Sequence, residues 1–139
     1  IIMNGINDIE LINLDIYKDK RGDLIPIQFQ KNLNSTIERS FLVFGGGNIL
    51  RGNHAHKECN QFLCCISGIC EVKCDDGDDS FYQILSDPSK ILKIPNMIWS
   101  TQKYLTENTT LMVFCDLDYC ERDYIRDYKT FLKLRTNNY

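Results

Sequence analysis

The sequence has little that would mark a nucleic-acid-binding or membrane protein. Its 139 residues contain 16 Lys and Arg against 19 Asp and Glu, so the basic surface that binds DNA or RNA is missing. No apolar run comes near the roughly 18 residues that span a bilayer. The opening residues lack a basic segment followed by an apolar one, so we expect no signal peptide.

Intrinsic disorder is excluded by the balance of apolar and charged residues. Hydrophobic residues make up 43% of the chain and charged residues 25%, which is ordinary for a globular protein. Single domains commonly contain about 100–200 residues. The sequence therefore predicts one domain over 1–139.

Cysteine is abundant, but its spacing fits neither zinc chemistry nor a secreted disulfide scaffold. The sequence contains no C-x-x-C pair, and most of its cysteines lie in apolar segments, where a free thiol packs as a small hydrophobe. We therefore expect reduced, buried thiols in a cytoplasmic protein. The seven are Cys59, Cys64, Cys65, Cys70, Cys74, Cys115 and Cys120.

Short alternating or apolar segments, separated by turn residues, fill most of the chain. Strands at this spacing with no helix between them predict an all-β sandwich or barrel. From Asp123 onward, Tyr124, Tyr128 and Phe131 fall at helical spacing, which predicts a C-terminal helix. The predicted strands are 10–16, 24–29, 37–44, 49–56, 61–67, 69–74, 81–85, 91–94 and 110–115.

The two histidines of the chain, His54 and His56, are two residues apart. Residues i and i+2 of a strand face the same side, so both imidazoles should project together. Their ordinary pKa near neutrality suits them to acid and base catalysis. A strand with two exposed surface histidines is the alternative interpretation.

The residues around this pair resemble the two motifs of the cupin barrels. The stretch 51–56, with Gln61 and Gly68 after it, resembles the first motif, and 95–100 resembles the second. Metal-binding cupins use two His, a Glu and a later His, whereas Gln61 and Ser100 stand at the last two places here. The resemblance implies a double-stranded β-helix, or jelly roll. Since no carboxylate offsets the charge of a divalent cation at these positions, we expect this barrel to bind no metal.

A closer resemblance extends over nearly the whole chain. The specific stretches are RGNHAHK at 51–57 and DYIRDY at 123–128, with further matches at 20–24, 37–41, 61–68, 75–77 and 95–99. Together they resemble the dTDP-sugar 3,4-ketoisomerase family, non-metal cupins of deoxyaminosugar pathways. Many relatives carry a His directly after the Trp, where this chain has Ser100.

The resemblance implies the reaction and the roles of the two histidines. A base removes the C3 proton of dTDP-4-keto-6-deoxyglucose, and the enediol is reprotonated at C4, which leaves the ketone at C3. No cofactor is needed. His56 is expected to be the base and His54 to relay protons between the oxygens. The product would supply the synthesis of a 3-amino-3,6-dideoxyhexose for surface glycans such as lipopolysaccharide.

Arginines are the expected contacts for the substrate diphosphate, because the guanidinium binds phosphate oxygens bidentately. Arg51 lies next to the histidines, and the resemblance adds Arg21 and Arg126. The alternatives are a turn pair of Arg21 with Asp23 and simple solvation of Arg126.

The sugar is expected to meet three other side chains. Gln61 would hydrogen-bond a hydroxyl, Ser100 would hold a relaying water, and Trp99 would line the sugar end of the barrel unless it only packs the core. Tyr124 and Tyr128 are expected to pack the terminal helix rather than to contact ligand.

Two other functions stay open at this point. One is a dTDP-4-keto-6-deoxyglucose epimerase of the rhamnose pathway, although the close histidine pair favours the ketoisomerase. The other is a non-catalytic cupin that binds a nucleotide sugar. The resemblance also implies a homodimer, with no nucleic-acid or membrane partner.

Overall fold

The computed structural model describes residues 2–137 and arranges them as antiparallel strands followed by one helix. This architecture confirms the predicted all-β class with a C-terminal helix. The strands are β1 (Glu10–Asn13), β2 (Tyr17–Asp19), β3 (Gly22–Leu24), β4 (Arg39–Gly45), β5 (Ile49–His56), β6 (Gln61–Ser67), β7 (Cys70–Asp75), β8 (Ser80–Leu85), β9 (Lys90–Ile94), β10 (Trp99–Tyr104), β11 (Thr109–Cys115) and β12 (Tyr124–Ile125), and the helix α1 spans Tyr128–Asn137.

Two five-stranded sheets form the body of the fold. The first has the order β1-β9-β6-β11-β4 and the second β12-β5-β10-β7-β8, while β2 and β3 form a separate hairpin. From β4 to β7 successive strands alternate between the two sheets, as do β8 to β11. This alternation is the jelly-roll topology that the cupin resemblance implies.

The inner faces of the two sheets enclose the main core. Along β7 every second residue is buried, so Cys70, Val72 and Cys74 face inward. Burial raises the pKa of both of these thiols to about 12, so they pack as neutral groups. Within residues 2–137 all seven cysteines are free and six are buried, which confirms that most thiols are structural.

Several elements of the structure differ from those predicted. The strand β10 is not among the predicted strands, because its sequence is largely polar and its order comes from hydrogen bonds to β5 and β7. The strand predicted at 24–29 is wrong, since only Leu24 lies in a strand, as the last residue of β3, and the chain turns helically over Phe29–Leu33. The C-terminal helix begins only at Tyr128, since Tyr124–Ile125 extends the second sheet instead.

Each sheet is covered over part of its outer face. An N-terminal segment with Leu14 and Leu33 packs on the first sheet. The helix α1 packs on the second through Phe131, against Ala55 and Trp99. No helix among residues 2–137 is long and apolar enough to cross a membrane.

Candidate active site

A β-bulge in β5 determines which of its side chains face the barrel interior. Arg51 pairs with Gln102 and His54 pairs with Ser100, so four residues of β5 lie opposite three of β10. The extra residue is Asn53, which has a positive φ of 57°. Because of this insertion, Arg51 and His54 face the same side although they are three residues apart.

Glycine is required beside the bulge. Gly52 has a φ of +88°, and a Cβ there would lie 2.6 Å from Gln102 Oε1 and 2.9 Å from the Ser100 carbonyl oxygen. A larger residue would push β5 away from β10. The bulge and the inward direction of Arg51 therefore depend on this glycine.

The two imidazoles and one phenol form an aromatic cluster at the inner face of β5. The ring centroids of His54 and His56 are 5.1 Å apart, and the Tyr124 ring lies 5.2 Å and 4.3 Å from them. Tyr124 reaches this place because β12 pairs with the end of β5. The expectation that Tyr124 packs the helix is therefore wrong, whereas Tyr128 does pack on Phe131.

His56 is held by a carboxylate that is distant in sequence. Its Nδ1 lies 2.9 Å from Asp123 Oδ2, and the backbone N–H of Glu58 donates to Asp123 Oδ1 at 2.7 Å. Since a carboxylate accepts hydrogen bonds, we assign the ring proton to Nδ1. His56 Nε2 is then a free base, and it is buried with no hydrogen-bond partner among residues 2–137.

Both histidines are neutral near pH 7. Burial lowers the pKa of His54 to about 4, and the neighbouring His56 adds to this effect. Burial also lowers the pKa of His56, although Asp123 opposes it. A neutral imidazole can accept a proton, so the cluster suits base catalysis.

A second group of polar side chains lies across the barrel from the histidines. Arg39 donates to Cys115 Sγ at 3.5 Å and to Tyr124 Oη at 3.4 Å, and Gln61 donates to the same sulfur at 3.5 Å. Hydrogen bonding from Cys59, with these two donors, lowers the pKa of Cys115 below its ordinary value. The barrel interior thus holds a guanidinium hydrogen-bonded to a thiol.

Four of the expected substrate contacts lie inside the barrel or at its rim. Arg51 and Gln61 line one small cavity of about 100 Å³ inside the barrel. Ser100 is buried opposite His54, and its hydroxyl accepts a hydrogen bond from Gln102 at 2.9 Å. Arg126 lies over the Tyr124 ring at 4.2 Å and pairs with Glu121 at the rim.

The two other expected contacts are not brought to the histidines. Arg21 lies in the exposed β2–β3 hairpin and pairs with Asp19, while Asp23 pairs with Lys18. Trp99 packs on the outside of the barrel against Phe131, with ring centroids 5.7 Å apart. The reason is strand alternation, because Ser100 faces inward and its neighbour on β10 must face outward.

Asp123, Tyr124 and Arg39 are the site residues that the sequence interpretation missed. All three lie inside stretches that carry the family resemblance, namely 123–128 and 37–41. Their position in those stretches was the one indication that they belong to the candidate site. No local sequence pattern distinguishes them from residues that only pack.

The residues in the barrel do not fit a cupin-type metal. At the positions of two of its ligands stand an amide, Gln61, which donates to Cys115, and a hydroxyl, Ser100, which accepts from Gln102. Two imidazoles and no carboxylate at these four positions give a divalent cation no charge compensation. We therefore derive no step through such a metal.

Comparison with known proteins identifies the family to which the chain belongs. A family model described as "FdtA: WxcM-like, C-terminal" matches residues 7–136. The TDP-4-oxo-6-deoxy-alpha-D-glucose-3,4-oxoisomerase of Aneurinibacillus thermoaerophilus is 34% identical over 125 residues, which is 89% of this chain and 90% of that protein.

Solved structures similar to this chain include sugar 3,4-ketoisomerases. QdtA, a sugar 3,4-ketoisomerase of Thermoanaerobacterium thermosaccharolyticum crystallised with TDP, has a TM-score of 0.92 at 29% identity, covering 97% of this chain and 99% of that one. A 3,4-ketoisomerase from Helicobacter canadensis has a TM-score of 0.89 at 32% identity, covering 93% and 98%. A histidine-to-asparagine variant of QdtA was crystallised with TDP-4-keto-6-deoxyglucose.

Proposed function

Because the chain belongs to the FdtA family, the WxcM-like C-terminal group, we propose that His54 and His56 catalyse the isomerisation of a dTDP-linked keto sugar. The chain is an isomerase of the 3,4-ketoisomerase class. Its substrate is dTDP-4-keto-6-deoxyglucose, and its product is a dTDP-3-keto-6-deoxyhexose.

One observation supports the mechanism above all others, the free and buried Nε2 of His56. Leaving such an atom without a partner costs free energy, of the order of 1–3 kcal/mol. The cost is offset when a ligand brings the missing partner. The C3–H group of the keto sugar is the partner that this chemistry requires.

The proposed steps conserve protons and move no hydride. His56 Nε2 takes the C3 proton, and electrons move into the C4 carbonyl to give an enediolate. Asp123 accepts the hydrogen bond of the imidazolium that forms, which stabilises the charge. His54 relays the proton from O3 to O4. The His56 imidazolium returns its proton to C4, which leaves the ketone at C3 and the base neutral.

The proposed substrate contacts follow the placement of the side chains. Arg51 and Arg126 are the candidates for the diphosphate, since Arg51 lines the cavity inside the barrel and Arg126 lies over the Tyr124 ring at its rim. Gln61 and Ser100 are proposed to contact the sugar. For Arg21 and Trp99, contact with substrate stays a prediction that the described contacts do not support.

Proton NMR of dTDP-4-keto-6-deoxyglucose with the protein tests this function directly. We expect the 4-keto signals to be replaced by those of a 3-keto isomer, and the conversion to continue after exhaustive chelation with EDTA. Exchange at C5 would instead indicate the epimerase, and an unchanged spectrum with bound nucleotide would indicate a binding protein. Loss of turnover with EDTA, restored by zinc or manganese, would contradict the metal-free mechanism.

The pH dependence of kcat/KM should reflect the neutral state of His56. Its folded pKa is lowered from the ordinary 6.5, so the base stays unprotonated to a lower pH than a free histidine would. Activity should therefore fall with decreasing pH only below 6.5. Circular dichroism at each pH controls for unfolding, and an acidic limb centred above pH 7 would argue against this base.

We further propose a homodimer in the cytoplasm. Leu42, Phe44 and Ile66 on the first sheet are exposed apolar side chains, which supports a contact between copies. The buried, free thiols suit a reducing compartment. Sedimentation velocity should give twice the 16.2 kDa mass of the chain, and Phe44→Glu should shift it towards the monomer, whereas a monomeric wild type would refute the dimer.

A further inference from the structure

Three metal-ligating side chains, those of His56, Cys59 and Asp123, lie close together. One ligand atom from each of His56, Cys59 and Asp123 lies within 4.8 Å of the other two. The exposed fractions are 5% for His56, 2% for Cys59 and 12% for the Asp123 side chain. This cluster differs from the cupin-type position, because it needs neither Gln61 nor Ser100.

Backbone hydrogen bonds hold Asp123, one of the three side chains, in place. Lys57 N–H donates to the Asp123 carbonyl oxygen at 2.8 Å. Glu58 N–H and Cys59 N–H donate to the two carboxylate oxygens at 2.7 Å and 3.4 Å. The connection from β5 to β6 is thus joined to the turn before β12. The carboxylate is thereby oriented before an ion binds.

The set of donor atoms selects the class of cation. An imidazole nitrogen, a thiol sulfur and a carboxylate oxygen together suit Zn²⁺, which takes three protein ligands and leaves one position open. Donors around Zn²⁺ stand about 3.3–3.8 Å apart. His56 Nδ1 and Asp123 Oδ2, which are 2.9 Å apart, must separate slightly. The third donor, within 4.8 Å of both, must move closer by up to about 1 Å. Mg²⁺ and Ca²⁺ prefer oxygen ligands alone and are excluded by the sulfur.

An acidic cavity gives such a cation a route to the cluster. The cavity has a volume of about 660 Å³, and Asp123 is part of its wall. Lys57 and Arg122 are its two cations, against five carboxylates, so its local charge is negative. The carboxylates are Glu38, Glu58, Asp116, Asp118 and Asp123.

We propose that His56, Cys59 and Asp123 form an inhibitory site for Zn²⁺. The ion replaces the proton between His56 Nδ1 and Asp123, and this proton moves to Nε2. Cys59 loses its thiol proton to solvent as the zinc–sulfur bond forms, and nothing is oxidised or reduced. Since Nε2 is the base of the proposed function, its protonation stops turnover, and in this respect the inference rests on that function.

Binding is measured first, without substrate, on the full chain stripped with EDTA. Calorimetry should show one Zn²⁺ bound per chain, and Co²⁺ should produce a thiolate-to-cobalt charge-transfer band in the near ultraviolet. Mg²⁺ should give no heat. Cys59→Ser should weaken Zn²⁺ binding at least about tenfold and abolish the band. The exposed Cys120, which also lines the acidic cavity, provides the matched control, and Cys120→Ser should change neither result.

Two further measurements separate this inference from the proposed function. Nitrogen-15 NMR of the imidazoles in the wild-type chain should show the His56 proton moving from Nδ1 to Nε2 with Zn²⁺, which needs neither a variant nor activity. Zinc should inhibit the isomerase reversibly, and Cys59→Ser should be active and resistant. Zinc binding that Cys59→Ser leaves unchanged, or no binding at micromolar Zn²⁺, would overturn the site.

Discussion

His56→Asn should nearly abolish the exchange of the C3 proton of dTDP-4-keto-6-deoxyglucose in deuterium oxide. A general base contributes roughly 10²–10⁴-fold to a rate, and an asparagine amide cannot accept a proton at neutral pH. The amide can still donate to Asp123, so the hydrogen bond that joins β5 to the turn before β12 is kept. Proton NMR of the C3 signal measures the exchange.

Controls separate lost chemistry from lost structure. Affinity for dTDP should match the wild type, because both candidate diphosphate arginines are kept, and circular dichroism should show an intact fold. The exposed neighbour Lys57 gives a matched substitution, and Lys57→Asn should exchange C3 at the normal rate. A His56→Asn protein with full activity would remove the proposed base.

Asp123→Asn should reduce kcat by about 10²–10⁴-fold while leaving KM and dTDP affinity nearly unchanged. The amide oxygen would keep the hydrogen bond from Glu58 N–H, so the NH₂ group would face His56. Two donors cannot face each other, and the imidazole proton would therefore move to Nε2. The base would then carry a proton where it needs a lone pair.

The position of the ring proton of His56, at Nδ1 or Nε2, is the decisive measurement. Nitrogen-15 chemical shifts should show His56 protonated at Nδ1 in the wild type and at Nε2 in Asp123→Asn. Asp118 lines the same acidic cavity, and Asp118→Asn should change neither the tautomer nor kcat. An Asp123→Asn variant with a raised KM and an unaltered tautomer would reduce Asp123 to a structural role.

Short apolar or extended segments between turn residues located most of the longer strands of this protein. The segments 49–56 and 61–67 were predicted with the bounds that β5 and β6 have in the structure. The first five residues of β6 are buried on both faces, so a continuous apolar run marks this strand in the local sequence. The strand β10 has no such signal, because its residues are ordered by neighbours that lie far away in the chain.

The sequence by itself determined the pair of histidines and its chemistry. Because a strand turns successive side chains to opposite faces, His54 and His56 had to project together. The family motifs added the reaction class. They could not fix the direction of each neighbour, since Trp99 lies outside the barrel and Tyr124 inside it.

Only the tertiary structure decided what surrounds the histidines. The bulge at Asn53 turns Arg51 inward, against the two-residue period of an ideal strand. The carboxylate that holds His56 is 67 residues away in the sequence. Its position results from strand pairing and turn hydrogen bonds, which are long-range interactions that no local pattern encodes. The tautomer of the base, and the proposed zinc site beside it, therefore depend on the folded chain.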